Sequence, residues 1–508
     1  MRVGGESNCE LVNTIVRTRD SMHRPPLVPH RSRNRMSKVG PDASFARLPA
    51  ADGEGVPRWD RRAMLAAMLA AGGAAGGVAG CGREQPSEEA SDADLPEIPL
   101  RVVWVGTIEE FEIVRRAWAG VSPLPLAVST IDAARDDPVG LCERLSAAAT
   151  KADVMVYPLA ALAELATAGR AAEWQGVTGA DADADRRPVR DGQAFDVVSD
   201  PPPLRLPPAL RHAAAEFAGQ PLALPLGTRQ VAWMVSGELP GGGGWQDYDA
   251  WVADSDGAAS EPLAGGWAAA MYLLRAANSP ERSWLFDRDS FEPLLGSDSY
   301  VAVLEQMRVT ATRYRDGRQT PEEIWAAVRG ERLRGGLGFP AGEDRDPAGV
   351  QFLDPPRDGD GKRILLDPFT TVGSLSTACR QTAASKRFLD WLAGGPGSEP
   401  VRRQLERLTL PPGIGQAPVA ETTTARSDAY LDWLSLHLQT AVIVPTLRLH
   451  RAGDYYAILD RAVVDCLDGK SSPAEALGEA ARLWRETTRE VGRDRQQRAW
   501  QRAQGMAG

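Results

Sequence analysis

The chain has 508 residues, with 58 Lys and Arg against 68 Asp and Glu, for a net charge of −10. Residues 1–80 hold 12 basic and 7 acidic residues, which leaves 46 against 61 beyond them, a net of −15. That acidic body is unsuited to nucleic acid, whose phosphates need a basic face, and to a polybasic membrane-binding surface. The five cysteines, Cys9, Cys81, Cys142, Cys379 and Cys466, make no disulfide framework, and a chain of this length needs none, although one pair is open.

Residues 1–57 are rich in Arg, Pro and Ser and show little periodicity. They read as a disordered leader, or as sequence upstream of a start at Met36 or Met64. Arg61 and Arg62 then precede an uncharged run from Ala63 to Gly80, built from Ala, Gly, Leu, Met and Val. Val78-Ala79-Gly80-Cys81 resembles the lipobox of bacterial lipoproteins, and Asp60-Arg61-Arg62-Ala63-Met64-Leu65 resembles a twin-arginine signal. The resemblance implies export, cleavage before Cys81, and an acylated Cys81 holding the product at the outer face of a bacterial membrane or in the periplasm. An uncleaved transmembrane helix is the other reading, since the run just reaches the roughly 18 residues where spanning begins. Its Gly and Ala content makes insertion weak. Gly82 to Glu97 is a polar tether.

Leu100-Arg101-Val102-Val103-Trp104-Val105 reads as a buried strand, ended by Gly106-Thr107. Glu109 to Gly120 reads as a helix, Leu124 to Ser129 as a strand, Pro138 to Thr150 as a helix, Ala152 to Pro158 as a strand, and Leu159 to Gly169 as a helix. Strands alternating with helices predict an α/β fold with a parallel sheet and crossovers. Ligands of such sheets sit beyond the carboxyl ends of the strands, near Trp104 to Glu109 and Tyr157-Pro158. Residues 175–210 read as an irregular excursion. Between Gly219 and Val235, two strand-like pieces flank a turn containing Pro225 and Gly227.

Gly219 to Pro225 resembles the "Gly-Lys-x-Tyr-Ala-Leu-Pro" phrase of the extracellular solute-binding proteins of ABC importers, the large group that includes maltose-binding proteins. Further phrases follow in the same order. They are Trp245-Gln246-Asp247-Tyr248 at a helix start, Gly265-Gly266-Trp267-Ala268 opening an apolar helix, and Glu322 to Gly330 before Leu337-Gly338-Phe339-Pro340. Thr371 to Ser376 before Lys386 to Leu392 comes next, and Ser471-Ser472-Pro473 opens a late helix with Ser472 as N-cap. The resemblance covers about residues 100 to 490. It departs from the usual pattern at Arg229, where smaller or acidic residues are common, and at Met234-Val235-Ser236, where Tyr-Asn is frequent. It implies a two-lobed periplasmic-binding-protein (Venus-flytrap) fold with crossing hinge strands. Residues 1–80 would be extension and signal and 81–98 tether. Lobe one would be 99–228 with 350–400, and lobe two 229–349 with 401–508.

The implied function is capture of a small solute, expected to be a sugar, for delivery to an ABC permease by a lipid-anchored monomer without cofactor. A sensor or surface interaction module that keeps the fold without transport is the alternative. A sugar wants aromatic platforms and a few hydrogen-bonding groups from both lobes. The implied ligand-binding residues are Trp104, Thr107, Glu109 and Tyr157 from lobe one, Thr228 and Arg229 at the crossing, and Trp267, Phe339 and Tyr455 from lobe two. Arg229 suits either a carboxylate or phosphate, or a structural ion pair. Trp325, Trp391, Trp433 and Trp484 sit at helical spacing and read as core. The sequence carries no zinc-ligand spacing, no Gly-x-Ser-x-Gly elbow and no phosphate loop, and Asp358 to Lys362 reads as a hairpin turn. Neither an enzyme nor a metal site is therefore expected.

Overall fold

A computed structural model describes residues 98–132, 138–174, 206–207, 210–277, 284–341, 349–359, 363–408, 410, 429–439 and 443–504. The expected export signal with Cys81, the expected tether up to residue 97 and nearly all of the expected 175–210 excursion lie outside these residues.

Strand β1 (Leu100–Val105) is apolar at five of its six positions, and the structure buries those five. Such a run suits a strand covered on both faces. Helix α1 (Ile108–Ala119) opens on a capping box between Thr107 and Glu110 and buries Phe111, Val114 and Trp118 at helical spacing. Then come β2 (Leu126–Ile131), α2 (Pro138–Ala149), β3 (Val154–Pro158), a short 3-10 turn at Leu159–Ala161 and α3 (Leu162–Thr167). Both β2 and β3 pair with β1 in parallel, as the alternation predicts. A small antiparallel pair, β4 (Glu216–Phe217) and β5 (Gln220–Pro221), precedes β6 (Leu224–Thr228).

The chain then changes sheets. Strand β7 (Ala232–Ser236) is followed by α4 (Trp245–Asp254), β8 (Ala259–Ser260), α5 (Trp267–Ala276), α6 (Asp298–Ala311), α7 (Pro321–Arg329), β9 (Gly335–Gly338) and β10 (Val350–Leu353). These strands form a second sheet in the order β10-β7-β9-β8. The return runs through β11 (Arg363–Leu365) to β12 (Thr370–Leu375), which inserts antiparallel between β3 and β6. The first sheet is therefore ordered β2-β1-β3-β12-β6. Helices α8 (Thr382–Leu392) and α9 (Glu399–Gln404) follow, and then α10 (Ala429–Leu438) and β13 (Ile443–Pro445), which pairs in parallel with β11. Three helices close the chain: α11 (Ala452–Leu467), α12 (Pro473–Val491) and α13 (Arg493–Ala503). As the Ser472-Pro473 signal predicts, α12 starts on a Ser472–Glu475 capping box with Pro473 in its first turn.

Two large apolar clusters hold these layers, beside a smaller one around Met234, Ile324 and Trp325. One lies against α1 and α8, where Trp118 meets Phe388 and Trp391 edge-on at 5.2 and 5.1 Å. The other runs without a break from Val103 and Tyr157 in the first sheet to Trp233 and Leu337 in the second, and on to Tyr455 and Trp484 in the closing helices. Apolar packing is thus continuous across both sheets, and the described residues fall in one compact unit. Cys142, Cys379 and Cys466 are free thiols, so the open pairing is not formed. No helix among the described residues is long and apolar enough to cross a membrane.

One half-buried acid works against this packing. The Asp390 carboxyl on α8 is pushed up to about 6 by burial, against the opposing pull of Lys386. Its folded value lies above the usual 3.8, so the stability linked to its proton is full below about pH 4 and is lost as pH rises through about 6. Asp390→Asn is expected to stabilise the protein at pH 7 by about 1 kcal/mol, after discounting for solvent screening. It should also flatten the pH 4–6 slope of the urea midpoint, whereas an unchanged slope would remove Asp390 as its source.

Candidate functional site

The carboxyl end of β1 and the start of the crossing meet around two arginines. At Gly106 the backbone takes φ +146°, and a Cβ there would overlap the Glu110 carboxylate and the Arg407 guanidinium. Glycine at this point lets β1 turn directly into the Thr107 cap. The Glu110 carboxylate then collects three donors: the Thr107 amide at 3.2 Å, the Trp104 indole N–H at 3.4 Å and Arg407 Nη2 at 2.7 Å. Arg407 also donates from Nη1 to the Val105 carbonyl at 2.9 Å and lies 4.7 Å over the Trp104 ring. Burial lowers the Arg407 pKa, the neighbouring Arg229 charge lowers it further, and Glu110 opposes both.

Arg407 reaches this place from the turn at Glu406–Leu408, whose backbone lies against β6. A Cβ at Gly227 would overlap the Arg407 carbonyl. Two residues beyond Gly227, Arg229 donates from Nη1 to Glu322 Oε1 at 2.8 Å and sits 5.3 Å over the Phe339 ring. Glu322 is in the first turn of α7, and Phe339 directly follows β9. Phe339 packs against Trp267 at 5.5 Å, and Trp267 stacks face to face on Phe369 at 3.6 Å. The crossing is pinned from below. Thr228 and Thr370 hydroxyls are 2.9 Å apart, Gln230 donates to Thr228, and Tyr430 donates to the Gln230 carbonyl at 2.8 Å.

Of the nine residues expected at the site, Trp104, Thr107, Thr228, Arg229, Trp267 and Phe339 lie along this seam between the sheets. Only Thr107 and Arg229 keep much contact with solvent, because Trp104, Trp267, Phe339 and Thr228 are each no more than 2% exposed. Glu109 is exposed on the first turn of α1, its pKa lowered by its own amide and the Thr107 hydroxyl. Tyr157 is fully buried, its hydroxyl 2.6 Å from Ser374, and burial raises its pKa. Tyr455 is buried among the closing helices, bonded to Thr488 and Gln496 and pushed up to about 12 by burial. The structure thus assigns neither tyrosine to the seam.

Sequence reasoning passed over Glu110, Glu322 and Arg407. Glu110 was legible as the fourth residue of Thr107-x-x-Glu110, the capping-box spacing. At the other helix start the capping-box position after Thr320 is Glu323, and Glu322 stands one residue before it, so no such spacing marked Glu322. No local signal brings Arg407 to Glu110, 297 residues away.

Two other openings have different character. One of about 30 Å³ lies behind the crossing, lined by Gln230, Arg357, Arg363 and His437, with room for ordered water. In its wall His437 Nδ1 is 3.1 Å from both Asp354 and Arg363. Burial would raise the Asp354 pKa, but His437, Arg363 and Trp433 outweigh it and hold it at about 2. A surface groove of about 710 Å³ runs between α11 and α12, with charges of both signs along it. Among the described residues no cluster of His, Cys, Asp and Glu is placed to hold a metal.

No family model matches the sequence, and no curated protein matches it significantly. Among solved structures, the chain resembles an ABC substrate-binding protein from Listeria monocytogenes in complex with cycloalternan, with a TM-score of 0.52 and 13% identity. The likeness spans 77% of this chain and 98% of that one. At that identity it speaks for the fold: a mixed α/β body built on several sheets.

Proposed function

We infer that the protein is an extracytoplasmic solute-binding protein that captures a small solute, a carbohydrate, between two lobes built on the two sheets and delivers it to an ABC importer. Acylated Cys81 would hold it at the membrane while the polar tether lets the body stand off. The observation that carries this reading is the double crossing. The chain passes from the first sheet to the second through Arg229–Val231 and returns between Leu353 and Thr370. Lobes joined by such strands close on a ligand by hinge motion, and closure is favoured only when the ligand touches both. The likeness to a substrate-binding protein supports the same reading.

One observation favours the non-transporting alternative. Trp104, Tyr157, Trp267, Phe339 and Tyr455 are buried against the chain's own side chains, so the aromatic residues expected as platforms present no open ring face. A thermal-shift screen of the purified protein against neutral sugars, sugar acids and sugar phosphates separates the two. A solute that binds only the folded state, at about 100 times its Kd, adds roughly 2.7 kcal/mol and raises the melting temperature by several degrees. A solute giving that shift is the expected result. No shift across the panel would remove capture and leave the sensor or interaction reading.

A further inference from the structure

We propose that two copies of the chain, in place of the expected monomer, pair edge to edge through β2, antiparallel and about a two-fold axis at Val128. The surface lies away from the seam, and the pairing does not depend on solute capture.

The backbone of β2 sets the register. The Pro125 and Ile131 carbonyls accept from the Leu100 and Gly106 amides, each at 2.9 Å, so the odd-numbered residues here turn their backbone groups toward β1. Backbone groups alternate sides along a strand, hence Leu126, Val128 and Thr130 turn N–H and C=O outward. Strand β2 ends the sheet order β2-β1-β3-β12-β6, and among the described residues no hydrogen bond reaches those outward groups. Such a row of donors and acceptors is a template for another strand.

The other edges of the two main sheets are guarded. Strand β6 carries Pro225 and lies beside a register shift in its pairing with β12. Strand β8 is two buried residues long. Strand β10 has four residues, and Tyr430 of α10 packs edge-on against its Phe352 at 5.5 Å. Strand β2 has six residues, Leu126-Ala127-Val128-Ser129-Thr130-Ile131, with no charge and no proline among them. Charge and proline are the usual protections of an edge.

A second copy is the occupant that the strand's own chemistry suits. Antiparallel pairing about Val128 sets Val128 against Val128 and Leu126 against Thr130, and each such pair exchanges both backbone bonds. On the other face Ala127 meets Ser129. Both are small and exposed, so nothing holds the second strand away. The first charge beyond the strand, Asp132, falls opposite the partner's Leu124, so no like charges meet. The interface is self-complementary, as a two-fold dimer requires. It joins both first sheets into one, and leaves the seam free, because β6 lies four strand spacings away, roughly 19 Å.

The test is sedimentation equilibrium of the purified protein over about 1 to 100 μM, where a modest interface is half-formed. The mass is expected to rise with concentration from one chain toward two. Val128→Pro removes the amide at the two-fold axis, which holds nothing within the chain, so the dimer should be lost while the melting temperature is nearly kept. Ala127→Pro removes an amide that faces β1, and should lower the melting temperature instead. Ala127→Lys combined with Ser129→Lys sets lysine opposite lysine twice, and should weaken the dimer by about 2- to 30-fold. Ala127→Lys combined with Ser129→Glu sets opposite charges in the same places, and should hold the dimer or tighten it. That contrast belongs to antiparallel pairing in this register. A single-chain mass at every concentration overturns the proposal and leaves the edge to a foreign strand or to water. A dimer indifferent to Val128→Pro and to both charge pairs overturns it as well. Either result leaves solute capture untouched.

Discussion

Glu261→Gln is expected to destabilise the protein by about 3–5 kcal/mol, the range for breaking a buried ion pair by removing one partner. Glu261 is fully buried, and the Arg275 side chain is 2% exposed. Arg275 reaches both Glu261 oxygens, at 3.2 Å from Nη2 and 3.4 Å from Nε, and its guanidinium lies 4.1 Å over the Trp245 ring. The Tyr314 hydroxyl donates to the same carboxylate at 2.9 Å. Burial alone would lower the Arg275 pKa, but Glu261, Asp249 and the neighbouring tyrosines reverse that and raise it. Removing the Glu261 charge leaves the cation inside, but Asp249 stays at 3.3 Å, so the loss should fall near the lower end of the range. The check is urea denaturation of the single variants and of Glu261→Gln combined with Arg275→Met. The double variant should recover a good part of the loss, because no charge is then stranded. A single-variant loss below about 1 kcal/mol would mean that the pair is solvated in solution.

Trp267→Ala is the second large effect, a loss of about 3–5 kcal/mol for emptying a buried tryptophan site. Trp267 begins α5 beside the second sheet, yet its ring stacks within 4° of parallel on Phe369, just before β12 of the first. It is therefore a packing link across the seam. A sugar platform and a packing link differ in what their removal does. Loss of a platform weakens ligand binding at nearly unchanged stability, while loss of a link lowers the melting temperature and moves affinity only through the fold. The geometry predicts the second pattern, with Trp267→Phe retaining much of the stability. Thermal unfolding and sugar titration on the same variants read both quantities.

These positions show where the sequence carried the fold and where it did not. The strand at Leu100–Val105, the helices at Pro138–Ala149 and Pro473–Val491, and the passage through Leu224–Ser236 were legible from apolar runs, Gly and Pro punctuation and a capping box, all local signals. The placement of β12 between β3 and β6 was not. It pairs residues more than 140 positions apart and adds antiparallel strands to a sheet whose early pattern is parallel. The site was legible in part for the same reason. Strand ends and the crossing pointed to Trp104, Thr107 and Arg229, which do share the seam. Tyr455 was expected there because its place resembles the late aromatic stacking residue of the solute-binding proteins, yet its helix buries Tyr455, Leu459, Val463 and Cys466 along one face, a spacing that reads as core. Trp267 starts a helix buried at nine of its ten positions, so its ring had no exposed face to occupy. Arg407 had no sequence neighbour to announce it.

The most direct measurement is titration calorimetry of the purified protein with the solute giving the largest thermal shift. One solute bound per chain is expected, with affinity lost in Arg229→Ala. A protein that binds no solute from any class, although folded and melting cooperatively, would contradict capture between the sheets and leave this α/β fold put to another use.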